Sequence, residues 1–185
     1  EGNVVLLEEF MEEASKKALN ELKKRKRADE KIAKIIGYGA LKYSILKVNP
    51  DKNVIFDWEN ALNFEGDSGP YIQYSYARAC SILEKEKSKG KADLSLLKES
   101  KEVQLVNQLS KFSEIVLEAT NNLKPQVIAV YLNELAKAFN EFYHDCPVLK
   151  AEKGIKNARL ALVDAARQVL KNGLYLLGME APEKM

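Results

Sequence analysis

The residues best equipped for chemistry stand together in the stretch Gly66 to Leu83, GDSGPYIQYSYARACSIL. Tyr74 and Arg78 are four residues apart, so on a helix a flat aromatic face and a guanidinium fork stand side by side. That pairing suits stacking on a base while holding a phosphate. At about 100° per residue, Ile72, Tyr76, Ala79 and Leu83 share one stripe, while Tyr71, Tyr74 and Arg78 share another. Periodicity alone favours the plainer alternative, in which the tyrosines sit in the core with satisfied hydroxyls. Catalytic chemistry fails on inventory. The sole histidine, His144, is close to Cys146, but side chains two residues apart at a helix end diverge, and Cys80 is isolated. No zinc-ligand spacing exists. The carboxylates read as solvated helix faces. Gly37-Tyr38-Gly39 follows no strand and lacks a third glycine in register, so it reads as close helix packing rather than a phosphate loop. The chain is expected to bind rather than react.

The elements that must position these residues are helical. Gly66 to Pro70 is a turn feeding a helix, with Ser68 or Asp67 as cap and Pro70 at its first position. From Val4 an amphipathic helix carries Leu7, Phe10, Met11, Ala14, Ala18 and Leu22 on one face, and its basic end, Lys23 to Arg27, reads as solvated surface more economically than as an RNA contact. Asp29 caps a second helix whose packed face is Ile32, Ile35, Ile36, Gly39, Tyr43 and Leu46. Asn49 to Asn53 is a turn, Val54 to Phe56 reads as a brief strand, and Asp57 caps a short helix over 58–62. Glu84 to Lys91 is an exposed connection. Two helices come next between Leu94 and Thr120, with Val106, Leu109, Phe112, Val116 and Ala119 inward, broken by Asn121 and Asn122. Pro125 opens a long helix with Ile128, Leu132, Leu135, Phe139 and Phe142 buried, ended by Pro147. Gly154 starts the last helix, in which Ile155, Ala158, Leu162, Ala165, Ala166 and Val169 pack and Asn172-Gly173 supplies the cap. The expected fold is all-α, a helical bundle.

A chain of 185 residues with 30% charged side chains and a net charge of +2 buries one sizeable core, and any nucleic-acid contact must come from a local patch. No apolar run reaches membrane-spanning length and no signal-peptide order is present, so a cytoplasmic protein with reduced cysteines is expected.

The blocks GYGALKYSIL, GPYIQYSYARACSIL, FNEFYHDCPVL and ARLALVDAARQVLKNGLYLLGMEAPEKM, in this order, resemble the C-terminal part of arginyl-tRNA synthetases of the archaeal and eukaryotic kind. The resemblance implies that residues 1–63 end the catalytic region and its connecting helices, and that 64–185 form a DALR-type anticodon-binding domain. EGNVVLLEEFMEEA is similar to the segment directly after the family's KMSKS loop. Together with a start lacking methionine, this implies a fragment whose HIGH and KMSKS signatures lie upstream. The parent is expected to ligate arginine to tRNA(Arg) using ATP and Mg, through an arginyl-adenylate. The fragment is expected to be inactive alone, to need no cofactor, and to have as partners tRNA(Arg) and the missing catalytic domain, with no membrane and no DNA. By position, Tyr74 and Arg78 match residues that contact the anticodon loop, Tyr143 an aromatic beside its bases, Met185 a residue that closes on them, and Gln73 a further member of the same motif. Pro147 stands where some members carry a second aromatic. Arginine codons imply a C as the middle anticodon base, so a C-selective pocket is expected. The rival is a helical scaffold or protein-interaction module without RNA binding.

Overall fold

Side-chain caps start three helices. Asp29 accepts from the Ile32 amide at 3.0 Å, Asp57 from the Asn60 amide at 2.8 Å, and the Ser68 hydroxyl from the Tyr71 amide at 3.2 Å. The computed structural model describes residues 6–86 and 90–185. It contains α1 (Leu7–Lys24), α2 (Glu30–Leu46), α3 (Trp58–Ala61), α4 (Gly69–Lys85), a 3-10 turn (Leu94–Leu96), α5 (Ser100–Ser110), α6 (Phe112–Asn122), α7 (Gln126–Asp145) and α8 (Lys153–Leu176). Val4, where the sequence pattern starts the first helix, and residues 87–89 of the exposed connection lie outside the described residues. The fold is an all-α bundle.

Two apolar clusters organise it. The larger joins α4 to α7 and α8, with Ile72, Tyr76, Leu132, Leu135, Phe139, Phe142, Leu170 and Leu174 buried, and α5 and α6 flank it. The smaller is built by α1, α2 and α3 from Ala18, Leu22, Ile36, Ala40, Leu62 and Phe64. Small residues let these helices approach. A Cβ on Gly37 would lie 2.7 Å from the Ala14 main chain, so α1 and α2 meet backbone to backbone. α2 likewise runs against the start of α4, where a Cβ on Gly69 would lie 2.4 Å from the Gly39 carbonyl oxygen.

Several expectations are corrected. Residues 54–56 form no strand, and none occurs among the described residues; Ile55 is exposed and Phe56 turns toward Phe10 and Trp58. Gly173 does not cap α8. It lies inside the helix where its missing Cβ admits Leu132, and the left-handed cap residue is Gly178, φ +65°. There the Met179 amide donates to the Leu174 carbonyl and the Gly178 amide to Tyr175, both at 2.9 Å. Asn121 and Asn122 stay within α6, which ends on Leu123 at φ 54°. Val106 faces out and Leu105 in, because the inward stripe of α5 runs through Glu102, Leu105 and Leu109, and Val106 lies about 100° round the helix from Leu105. Ala165 is exposed while Val163 and Ala166 are buried. Not every carboxylate is solvated: Glu102 is fully buried, bonded at 2.7 Å to Arg159, and this pair pins α5 to α8.

Candidate nucleic-acid interface

α4 divides its own face as the helical period requires. Ile72, Tyr76 and Ala79 are fully buried, whereas Tyr71, Tyr74 and Arg78 are half-buried. Arg78 is the centre of the arrangement. Its guanidinium carbon lies 4.7 Å from the Tyr74 ring centroid and 5.3 Å from that of Tyr143, which reaches it from the end of α7. One nitrogen donates to the Tyr74 hydroxyl at 3.1 Å and another to the Asn140 side-chain oxygen. Asn140 is itself oriented, donating at 2.8 Å to the Ser75 hydroxyl, which donates at 2.8 Å to the Tyr71 carbonyl. The guanidinium is therefore held in a fixed plane between two aromatic faces by neutral partners, and its charge is not spent on a carboxylate.

Around Arg78 opens a groove of about 520 Å³, at the seam of the two apolar clusters; Tyr74 and Met185 pack against the smaller one. Its cations are Arg25, Arg27, Arg78, Lys85 and Lys184, of which Lys184 pairs with Glu84 at 3.2 Å, and among the described residues no Asp or Glu side chain lines it. Arg25 and Arg27 arrive through a helix-ending turn. Lys26 takes the left-handed conformation, φ 59°, and the Arg27 amide donates to the Leu22 carbonyl at 2.9 Å, so the two arginines flanking Lys26 both reach the groove. Arg25 lies over the Phe64 ring at 4.4 Å, and Arg27 donates to the main-chain oxygen of Met185.

Of the residues singled out in the sequence, Tyr74, Arg78, Tyr143 and Met185 meet in this groove. Gln73 does not. It is fully buried on the opposite side of α4, where its amide nitrogen donates to the Ile35 carbonyl at 3.3 Å and the Glu180 carbonyl at 2.9 Å, tying α2, α4 and the terminal strap together. Lys23 to Arg27 are exposed, in agreement with their reading as surface, and two of them, Arg25 and Arg27, also line the groove. Phe64 and Asn140 were not singled out. The basic run marks Arg25 and Arg27 locally, whereas nothing local marks Phe64 or Asn140, and each of the four acquires its place through contacts with distant chain segments.

A second groove, also about 520 Å³, adjoins through Asn140 and has Tyr71, Asn133, Lys101, Lys137 and His144 beside Glu65, Asp67, Glu141 and Asp145. Lys101 is bonded to Glu141 at 2.6 Å, which raises the lysine pKa, and Asp67 accepts from Lys47 at 2.9 Å and from the Tyr43 hydroxyl. Burial, with Asp67 beside it, pushes the Tyr43 phenol far above its usual range. Burial also raises the Cys146 thiol, which disfavours a thiolate there. Among the described residues, no group of three or more His, Cys, Asp or Glu is placed to hold a metal, and no helix is long and apolar enough to cross a membrane.

Comparison with known proteins adds to this geometry. The profile of the DALR anticodon binding domain matches residues 72–185. Arginine–tRNA ligase of Pyrococcus abyssi is 53% identical over 164 residues, covering 84% of this chain and 26% of the relative. That of Methanocella arvoryzae is 46% identical over 189 residues, covering all of this chain and 33% of the relative. The solved arginyl-tRNA synthetase of Thermus thermophilus superposes with a TM-score of 0.94 at 38% identity, over 98% of this chain and 32% of that one. The chain thus spans between 26% and 33% of the length of these two curated relatives.

Proposed function

The chain belongs to the DALR anticodon binding domain family, and from that premise we propose that the groove around Arg78 reads the anticodon loop of tRNA(Arg) on behalf of an arginine–tRNA ligase. The observation that carries the reading is the Arg78 guanidinium, fixed between Tyr74 and Tyr143 in a cationic groove whose lining includes no Asp or Glu side chain. An unstacked base gains an aromatic face and a guanidinium plane there, at about 1–3 kcal/mol per stacked base. Because neutral partners already hold Arg78, little side-chain freedom is lost on binding. Arg25 and Arg27 supply charge for the loop phosphates, and Met185 covers the groove from the terminal strap. Gln73 acts as a positioning residue, holding the strap by the Glu180 carbonyl. In this reading 64–185 is the RNA-reading unit, and 1–63 connects it to the catalytic domain and lends it two arginines. Magnesium, which ligation of arginine uses together with ATP, does not fit this groove, since among the described residues no Asp or Glu side chain lines it to hold the metal. Their chemistry is assigned to the catalytic domain, and the compartment to the cytoplasm.

The test compares binding of anticodon hairpins differing only in the middle base. Replacing C by U exchanges an amino donor for a carbonyl acceptor, and a C-selective pocket should lose about tenfold or more in affinity. Equal binding of the two hairpins would sink the reading and favour the rival, a helical interaction module without RNA.

A further inference from the structure

The side-chain amide of Asn140 stands between two neighbours that each admit one orientation of it. On one side is the Ser75 hydroxyl, whose single proton is committed to the Tyr71 carbonyl at 2.8 Å. Its oxygen is left to accept, and it does so from the Asn140 amide nitrogen at 2.8 Å. On the other side is the Arg78 guanidinium, which only donates, and it meets the Asn140 side-chain oxygen. Turning the amide over would set nitrogen against guanidinium and oxygen against a hydroxyl oxygen, losing both bonds together. The donors therefore all point one way, from Arg78 to Asn140 to Ser75 to the main chain of α4. Ser75 is fully buried, and it sits on the same helix as Arg78, so the relay leaves α4, crosses to α7 and returns to a rigid anchor. Glu141, the next residue of α7, lines the adjoining groove and is bonded to Lys101 at 2.6 Å.

We propose that Asn140 is a positioning residue for RNA reading: oriented through Ser75, its neutral oxygen sets the plane of Arg78 and leaves the whole guanidinium charge to the RNA. The inference rests on anticodon reading at the tyrosine groove and adds to it a residue that acts through Arg78. Two requirements meet at this position, shape and neutrality, and they can be separated. Alanine removes the acceptor. Aspartate has the shape of asparagine, but its carboxylate only accepts, so it draws the Ser75 proton away from Tyr71 and pairs its own charge with Arg78.

Anticodon hairpins with middle C or middle U are titrated against the 185-residue chain and its variants, with circular dichroism and urea midpoints to establish the fold. Asn140→Ala frees the guanidinium to swing, and hairpin affinity should fall about two- to tenfold, the cost of ordering one long side chain on binding. The same substitution in an Arg78→Ala chain should cost less than about twofold, because nothing is left to position. Ser75→Ala lets the amide turn over and should repeat the Asn140→Ala loss. Asn140→Asp holds Arg78 more firmly, so the urea midpoint should not fall. Its affinity should nonetheless drop about tenfold or more, and its slope of log affinity against log salt by about 0.7–0.9, the share of one phosphate contact. A residue that only supported the fold would lose stability and binding together. Wild-type affinity in Asn140→Ala, Ser75→Ala or Asn140→Asp, or an Asn140→Ala loss undiminished in the Arg78→Ala chain, would overturn the relay. Equal binding of the two hairpins, with the variant losses as expected, would instead defeat anticodon reading while Asn140 stands as the residue that positions Arg78.

Discussion

Two grooves of equal size, about 520 Å³ each, meet where Arg78 donates to Asn140, and they differ in what their charges are doing. On the Arg78 side five cations converge with no Asp or Glu lining the groove among the described residues, and neutral oxygens hold the central guanidinium. On the Asn140 side four carboxylates accompany two lysines, one of which, Lys101, is taken up by Glu141. A phosphodiester entering the second groove meets like charge, which costs several kcal/mol at a close interface, whereas in the first it meets Arg25, Arg78 and Lys85 beside Lys184, whose pair with Glu84 at 3.2 Å is an exposed one of small worth. Volume therefore says nothing about which groove takes RNA. The sign of the side chains that line each groove is what favours the Arg78 side in the proposed reading.

The harshest way to break this contrast is Arg78→Ala. It removes the guanidinium that both tyrosine rings face and leaves the Asn140 oxygen without its donor. We expect hairpin affinity to fall by about 2–3 kcal/mol, roughly a hundredfold, from the lost charged contact and the loosened stacking faces. Arg78→Lys should recover only part of it, because an ammonium restores charge without the plane or the fork. Titration of both variants, with circular dichroism to establish the helices, measures this. A full rescue by lysine would mean that charge alone matters and that the sandwich geometry is incidental.

Gln73→Ala acts on the strap rather than on the groove wall. It deprives the Ile35 and Glu180 carbonyls of their shared donor in a fully buried place, which should cost about 1–3 kcal/mol of stability in urea denaturation. Binding should weaken by a few fold as the segment bearing Lys184 and Met185 loosens, with middle-base selectivity unchanged. Loss of that selectivity at normal stability would make Gln73 a base contact and would contradict its burial on the far side of α4.

How much was legible in the sequence depends on the range of each signal. The α4 stripes, the Ser68 cap and the α7 face from Ile128 to Phe142 depend on spacing within one helix, and the structure agrees with each. Gly37 and Gly39 were readable as packing residues for the same reason: a helical pattern surrounds them. Gly173 misled because Asn-Gly has the chemistry of a cap wherever it stands. Only the arrival of Leu132 from α7 explains a glycine inside α8, and the cap comes five residues later at Gly178. Val54 to Phe56 has the composition of a strand but no second strand to pair with, so it stays irregular. In the site, local spacing set Tyr74 beside Arg78 but favoured a packed role for the tyrosines, and their assignment, like that of Tyr143 and Met185, rests on family resemblance. Arg25 and Arg27 were hidden because a basic helix end usually faces water, and only the turn at Lys26 with the returning terminal strap brings them to the groove.

The gentlest prediction sharpens the contrast most. Lys137 lines the carboxylate-bearing groove on the exposed side of α7, where no ion pair engages it among the described residues. By charge and exposure it is as suited to a phosphate as Lys85, which lines the Arg78 groove. If net charge over the whole surface attracted the RNA, Lys137→Ala would lower the salt slope by about 0.7–0.9, the share of one phosphate contact. If the groove matters, Glu65, Glu141 and Asp145 keep the strand away, and the slope should stay unchanged with affinity within about twofold. Salt titrations of Lys137→Ala beside Lys85→Ala make the comparison at fixed RNA. Equal losses per lysine in the two regions would show that the RNA does not distinguish them.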